Sequence, residues 1–219
     1  MKKDTFKFED IDNFNRHIEL SIPNYKGLVD IFTSFAYEFT THDGVLIDLG
    51  CSTGSFLEQL PKIKSAQYIG VDEVEFVDQI NVNNEFDYTF IKGDILDCLT
   101  EYNNDDIDVI VLMFTLQFLG NKKRKKVVQE LKKFVERGTT VLISEKVYLN
   151  DSKVNSILQR NHRAMKRHNF TDTEIVNKEY QLAGSMFNKS YTDIIEELNF
   201  IGNVNQVWQS YNFMGWVIK

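Results

Sequence analysis

Val45-Leu46-Ile47-Asp48-Leu49-Gly50-Cys51-Ser52-Thr53-Gly54 is an aliphatic run that ends in an acid and a glycine, with a second glycine four residues on; Phe56 and Leu57 then reopen an apolar pattern. Such a run closed by glycines reads as a strand, a tight turn and the first turn of a helix. Gly50 and Gly54 let the main chain approach a ligand that any β-carbon would obstruct. The spacing G-x-x-x-G is not the G-x-G-x-x-G of dinucleotide enzymes, and no Lys-Ser/Thr pair closes it as in a phosphate-binding P-loop. A nicotinamide or a triphosphate is therefore disfavoured.

The same alternation recurs downstream. Tyr68 to Val71 ends at Asp72, Tyr88 to Ile91 ends at Gly93-Asp94, and Ile107 to Phe114 and Thr139 to Ser144 are further apolar runs. Residues 122 to 136 predict a helix that turns Val127, Val128, Leu131 and Val135 inward, and residues 28 to 39 predict another after Pro23 and Gly27. Apolar runs alternating with helices indicate parallel strands covered on both faces. The tail differs: Phe200 to Trp208 and Tyr211 to Ile218 read as strands joined by Gln209-Ser210, an antiparallel edge hairpin. The expected fold is α/β, a Rossmann-like doubly wound and mostly parallel seven-stranded sheet. Residues 1–219 form one domain, with an N-terminal helical segment at 1–40. A lid insertion at 146–199 carries helical patterns at 153 to 165 and 191 to 199.

Composition agrees with a single globular unit. The 219 residues are 42% hydrophobic and 26% charged, enough to bury a core. The apolar stretch from Val109 to Leu119 is well short of the roughly 20 residues a membrane span needs, and the start, with Glu9 and Asp10 soon after two lysines, is no secretory signal. The expectation is a cytoplasmic protein without membrane contact. Cys51 and Cys98 have no CxxC spacing and the four histidines no i, i+4 pair, so neither a disulfide scaffold nor a metal site is expected. A net charge of −7 argues against a surface that is one large trap for phosphates.

In a doubly wound sheet the ligand sits beyond the carboxyl ends of the strands, where strand order reverses. Asp48 to Gly54 occupies that place, and it resembles the nucleotide loop of class I S-adenosylmethionine-dependent methyltransferases, an apolar strand followed by acid-x-Gly-x-x-x-Gly. Asp72 ends the next strand, where a carboxylate accepts from both ribose hydroxyls, and Asp94 follows the third. A narrower resemblance rests on Ser21-Ile22-Pro23-Asn24-Tyr25, Phe114-Thr115-Leu116-Gln117-Phe118-Leu119, Leu142-Ile143-Ser144-Glu145-Lys146 and Trp208-Gln209-Ser210-Tyr211-Asn212-Phe213. These run collinearly from about residue 18 to the end and are similar to the carboxy-S-adenosylmethionine synthase branch.

Members of that branch bind S-adenosylmethionine and, with prephenate as carboxyl donor, make the carboxylated cofactor used to modify the tRNA wobble uridine. The resemblance implies cofactor contacts from Tyr25, from Gly50, Cys51 and Ser52, from Asp72 and Glu73, and from Asp94 and Ile95. It also implies a homodimer. Two family positions differ: Met113 stands where the branch has asparagine, and Glu179, between Lys178 and Tyr180, stands where it has the arginine that grips the extra carboxylate. A carboxylate wants charge-assisted bonds from a guanidinium, whereas glutamate there suits the sulfonium of the unmodified cofactor.

Three functional readings follow. The first is an S-adenosylmethionine-dependent methyltransferase with a small-molecule or tRNA-related acceptor, leaving S-adenosylhomocysteine, with carboxy-S-adenosylmethionine the less favoured cofactor. The second is the synthase reaction itself, with Lys178 or a partner subunit replacing the arginine, and the third is a non-catalytic cofactor-binding paralogue. An acceptor base, if one is needed, comes from Glu145, His162 or Tyr180, and Phe114 walls the pocket. The two cysteines are expected to be buried fillers. Lys122 to Lys126 is expected to be a surface run, and Glu145 either faces the ligand crevice or pairs with Lys146 or a lid cation.

Overall fold

The computed structural model describes residues 14–61, 65–74, 88–102 and 106–219, so the first thirteen residues of the expected helical segment lie outside the description. The parallel strands are β1 (Val45–Leu49), β2 (Gln67–Asp72), β3 (Tyr88–Lys92), β4 (Val109–Met113) and β5 (Thr140–Lys146), followed by β6 (Val204–Ser210) and β7 (Phe213–Ile218). The helices are α1 (Phe14–Ser21), α2 (Tyr25–Phe39), α3 (Ser55–Gln59), α4 (Ile95–Glu101), α5 (Asn121–Glu136), α6 (Ser152–Lys166), α7 (Asp172–Leu182) and α8 (Tyr191–Ile201). Leu116–Phe118 adds a 3₁₀ turn.

The sheet order is β3-β2-β1-β4-β5-β7-β6. The first five strands pair in parallel, and β7 inserts antiparallel between β5 and β6. Strand order reverses between β1 and β4, which opens the crevice at their carboxyl ends. Side chains alternate across a strand, and here that alternation splits the core in two. Ile47, Leu49, Ile110, Leu112, Val141 and Ile143 pack with α4, α5 and α8, whereas Leu46, Val109, Val111 and Leu142 pack with α2 and α3. Parallel strands buried on both faces must be apolar throughout, which is why they read as continuous runs.

Three segments differ from the sequence expectation. The run beginning at Phe200 is not a strand there: Ile194, Leu198 and Ile201 share one buried face of α8 while Phe200 points out, and the chain becomes a strand only at Val204. A second helix, α7, follows α6. It is opened by a reciprocal cap in which the Glu174 N–H donates to Thr171 Oγ1 and the Thr171 N–H donates to the Glu174 carboxylate. Third, α8 packs against α5 as a sheet-covering helix, so within 146–199 it is α6 and α7 that lie over the strand ends. That excursion is closed at its neck: the Tyr148 N–H donates to the Lys189 carbonyl (2.9 Å) and the Tyr191 N–H to the Tyr148 carbonyl (2.8 Å). Among the described residues no helix is long and apolar enough to cross a membrane.

Candidate active site

A cavity of about 380 Å³ opens at the carboxyl ends of β1, β2 and β4 and is roofed by α1, α6 and α7. Its floor is the turn after β1. Gly50 adopts φ +82°, and a β-carbon there would lie 2.5 Å from Thr115 Oγ1, so only glycine fits. Thr115 Oγ1 in turn donates to the Leu49 carbonyl (2.8 Å). Ser52 also has a left-handed backbone, φ +51°, and its N–H donates to Asp72 Oδ2 (2.8 Å) while the Val74 N–H donates to Asp72 Oδ1 (3.0 Å). The acid after β2 thus fixes the turn after β1. Phe114, at φ +57°, is another strained residue lining the cavity, a conformation that clusters at functional sites. Its ring joins Tyr25 (6.5 Å) and Phe213 (5.9 Å) in an aromatic wall.

The electrostatics are polarised. At the strand ends, burial first and Asp72 second push the Asp48 carboxyl up to about 8, and no ion pair reaches it among the described residues. Burial also raises Asp72. At the α6–α7 end stand Lys146, Lys166 and Lys178 with His17 and His162. Burial lowers both histidines to about 4, helped at His17 by Lys178 and Lys166, so both are neutral near pH 7. His162 Nε2 lies 2.8 Å from the Ser21 carbonyl; a carbonyl only accepts, so this nitrogen carries the hydrogen and ties α6 to α1.

Tyr25, Asp48, Gly50, Cys51, Ser52, Asp72, Glu73, Ile95, Met113, Phe114 and His162 all line this one cavity. Gly54, Asp94, Glu145 and Tyr180 do not. Gly54 caps α3 and Asp94 caps α4, its Oδ1 accepting from the Leu96 N–H. Asp94 Oδ2 and Glu73 Oε1 each lie 2.6 Å from Lys123 Nζ. Glu145 is corrected as an acceptor base: it is fully buried, and both its oxygens take hydrogen bonds from the Arg124 guanidinium at 2.6 Å. Its partner comes from the run expected to be surface, for Arg124 is fully buried. Tyr180 is 70% exposed on the far side of α7, away from any acceptor in the cavity. Glu179 is also off the cavity lining, held by the Arg163 guanidinium, whose Nε donates to Oε1 (2.9 Å). Sequence reading did not single out His17, Gln117 or Met186, which also line the site. Gln117 lies within the quoted Phe-Thr-Leu-Gln-Phe run, and its Oε1 accepts the Lys146 N–H at 2.9 Å.

Among the described residues, a buried carboxylate without a cation, a buried Ser52 hydroxyl without a partner and a cradle that only glycine can line fit a polar adenosyl ligand bearing positive charge. The comparisons agree. Residues 46–138 match the family described as "Methyltransferase domain". The carboxy-S-adenosyl-L-methionine synthase of Colwellia psychrerythraea is 28% identical over 97% of this chain and 91% of that protein. That of Shewanella sediminis is 30% identical over 77% of this chain and 72% of that protein. This chain belongs to the carboxy-S-adenosylmethionine synthase family. It is an S-adenosylmethionine-dependent transferase on the methyltransferase fold. Among solved structures the plantazolicin methyltransferase BpumL superposes with TM-score 0.60 at 15% identity, covering 94% of this chain and 88% of that one. An O-methyltransferase family protein from Burkholderia thailandensis gives TM-score 0.61 at 12% identity, covering 89% and 55%. Both show the shared fold. Among the described residues no group of three His, Cys, Asp or Glu side chains is placed to hold a metal ion.

Proposed function

We propose that this member of the family transfers the methyl group of S-adenosylmethionine to a small acceptor held under α6 and α7. The observation that carries the reading is the Arg163–Glu179 pair. At the position where the family resemblance has its carboxylate-gripping arginine, this chain has an acid whose charge a guanidinium of α6 already satisfies. No guanidinium from that position is then left for a carboxylated cofactor.

When bound, the cofactor supplies an activated methyl group, and the chain's own residues position and shield it. Gly50, Cys51 and Ser52 offer the close-approach backbone, Asp72 with Glu73 would hold the ribose, Ile95 would flank the base with Asp94 just behind it, and Asp48 would face the cationic part. Tyr25, Met113 and Phe114 would exclude water around the sulfonium, so that catalysis is mostly orientation. His162 is a weak base here, because burial disfavours its protonation; its contribution is to hold the roof closed through Ser21. The test is transfer of label from methyl-labelled S-adenosylmethionine to a small-molecule extract, with S-adenosylhomocysteine appearing in step. Label retained by the cofactor across all fractions would refute the reading.

A second reading, the synthase reaction with prephenate, is favoured by one observation: Lys178, next to Glu179, lines the cavity. Mass spectrometry of recovered cofactor separates the two, since a gain of one carboxyl group belongs only to the synthase, whose product serves tRNA modification. A homodimer in the cytoplasm is part of either reading, and sedimentation of the purified chain checks the dimer.

A further inference from the structure

Lys146 ends β5, Lys166 ends α6 and Lys178 lies in α7, and all three reach the same end of the cavity. Lys166 is only 9% exposed, and the Lys146 ammonium stands 5.6 Å from the centroid of the Phe213 ring. Among the described residues neither Lys146 nor Lys166 has a carboxylate within salt-bridge distance. The acid whose field reaches both is Glu179, and Arg163 takes both its oxygens. The neighbouring His17 and His162 are neutral. Burial first and the neighbouring lysine second depress Lys166 and Lys178 to about 8. For Lys146 and Lys166, ammonium groups sequestered from water without a carboxylate at salt-bridge distance among the described residues are unfavourable, so a fold that gathers them around a void is completed by an anion, with Lys178 lining the same end. The opposite end of the void holds Asp48, Asp72 and Glu73, which leaves an anion one place to go.

The kind of anion follows from the donors. A carboxylate is matched best by the planar fork of a guanidinium, and Arg163 is committed to Glu179. Ammonium groups are compact point charges that suit a tetrahedral oxyanion with three terminal oxygens. The geometry points to Lys146, Lys166 and Lys178 as the binding site for a phosphoryl group on the acceptor substrate, a small phosphomonoester. The assignment rests on the transferase reading above and names the substrate class for it.

Isothermal titration calorimetry of the full chain, with and without saturating S-adenosylhomocysteine, tests it with inorganic phosphate and malonate as probes. Phosphate should bind saturably, one per chain, and more tightly than malonate. Lys166→Met and Lys178→Met, which keep side-chain length and lose the charge, should each weaken phosphate by about tenfold or more while S-adenosylhomocysteine still binds. The assignment is overturned if phosphate gives no saturable heat, or if both variants bind it as the parent does. It is equally overturned if malonate binds more tightly, a result that would move the substrate class to dicarboxylates. A parent chain that ignores S-adenosylhomocysteine would strike the transferase reading itself, and the phosphate titration without that compound would still read the lysine site.

Discussion

Asp72 serves two masters: it accepts backbone N–H groups from Ser52 and Val74 and presents what remains of its carboxylate to the cavity. Asp72→Ala should therefore weaken S-adenosylhomocysteine by about 1.5–3 kcal/mol for a lost charge-assisted hydrogen bond, roughly ten- to a hundredfold in Kd by calorimetry. Asp48 gives a pH signature. Its carboxyl is raised in the fold from 3.8 to about 8, so the stability it contributes is present at low pH and is lost as pH rises through 8. The depressed His17 and His162 act the other way, losing stability as pH falls from 6.5 to about 4. Between pH 6.5 and 8 only the Asp48 effect of these three remains. The cofactor-free chain should lose thermal stability across that window, and Asp48→Asn should flatten the loss; an unchanged slope in the variant would refute the assignment. These acids were legible in the sequence because each stands at or near the end of an apolar run. The lysines of the roof were not legible as a set, because they come from three segments that meet only in the fold.

At the scale of elements, the N-terminal turn of α5 is a junction. Lys123 joins the ends of β2 and β3 through Glu73 and Asp94, and the next residue, Arg124, joins β5 and α8 through Glu145 and Glu197. Glu197 also takes Lys189 at 2.9 Å. Removing one partner of such a buried pair leaves the other's charge stranded, at a typical cost of about 3–5 kcal/mol. Arg124→Met should lower the urea midpoint accordingly, and the double variant Arg124→Met/Glu145→Gln should recover part of the loss. Five consecutive basic residues hid this role, since a charge run usually marks a solvated face. The helical period held the clue: Arg124 lies four and seven residues before Val128 and Leu131, on the buried face. The cap Thr171-x-x-Glu174 was likewise a readable start signal for α7, whereas the end of α8 was obscured because Phe200 and Ile201 read as well in a strand as in a helix.

For the whole molecule, a ligand that binds only the folded state raises its stability by mass action, about 2.7 kcal/mol at a hundredfold excess over Kd. For a chain of this size that is a rise in Tm of roughly 5–10 °C. S-adenosylhomocysteine should produce it in the parent, and Gly50→Ala should not allow it, since the new methyl group meets Thr115 in a left-handed turn. The doubly wound, mostly parallel sheet and the placing of the ligand loop at Asp48 to Gly54 were readable from the alternation of apolar runs and helices, because burial leaves few architectures open, whereas the strand order emerges only in the fold. The path of the chain over the strand ends was not readable, because local pattern does not say what α6 and α7 cover. The paired carbonyl and amide groups of Tyr148, Lys189 and Tyr191 give that path an unusual freedom. The chain departs and returns at a single point, so a short turn spliced between Tyr148 and Ser190 would leave every strand with its own neighbours. The whole excursion is exchangeable like a cassette on an unchanged chassis.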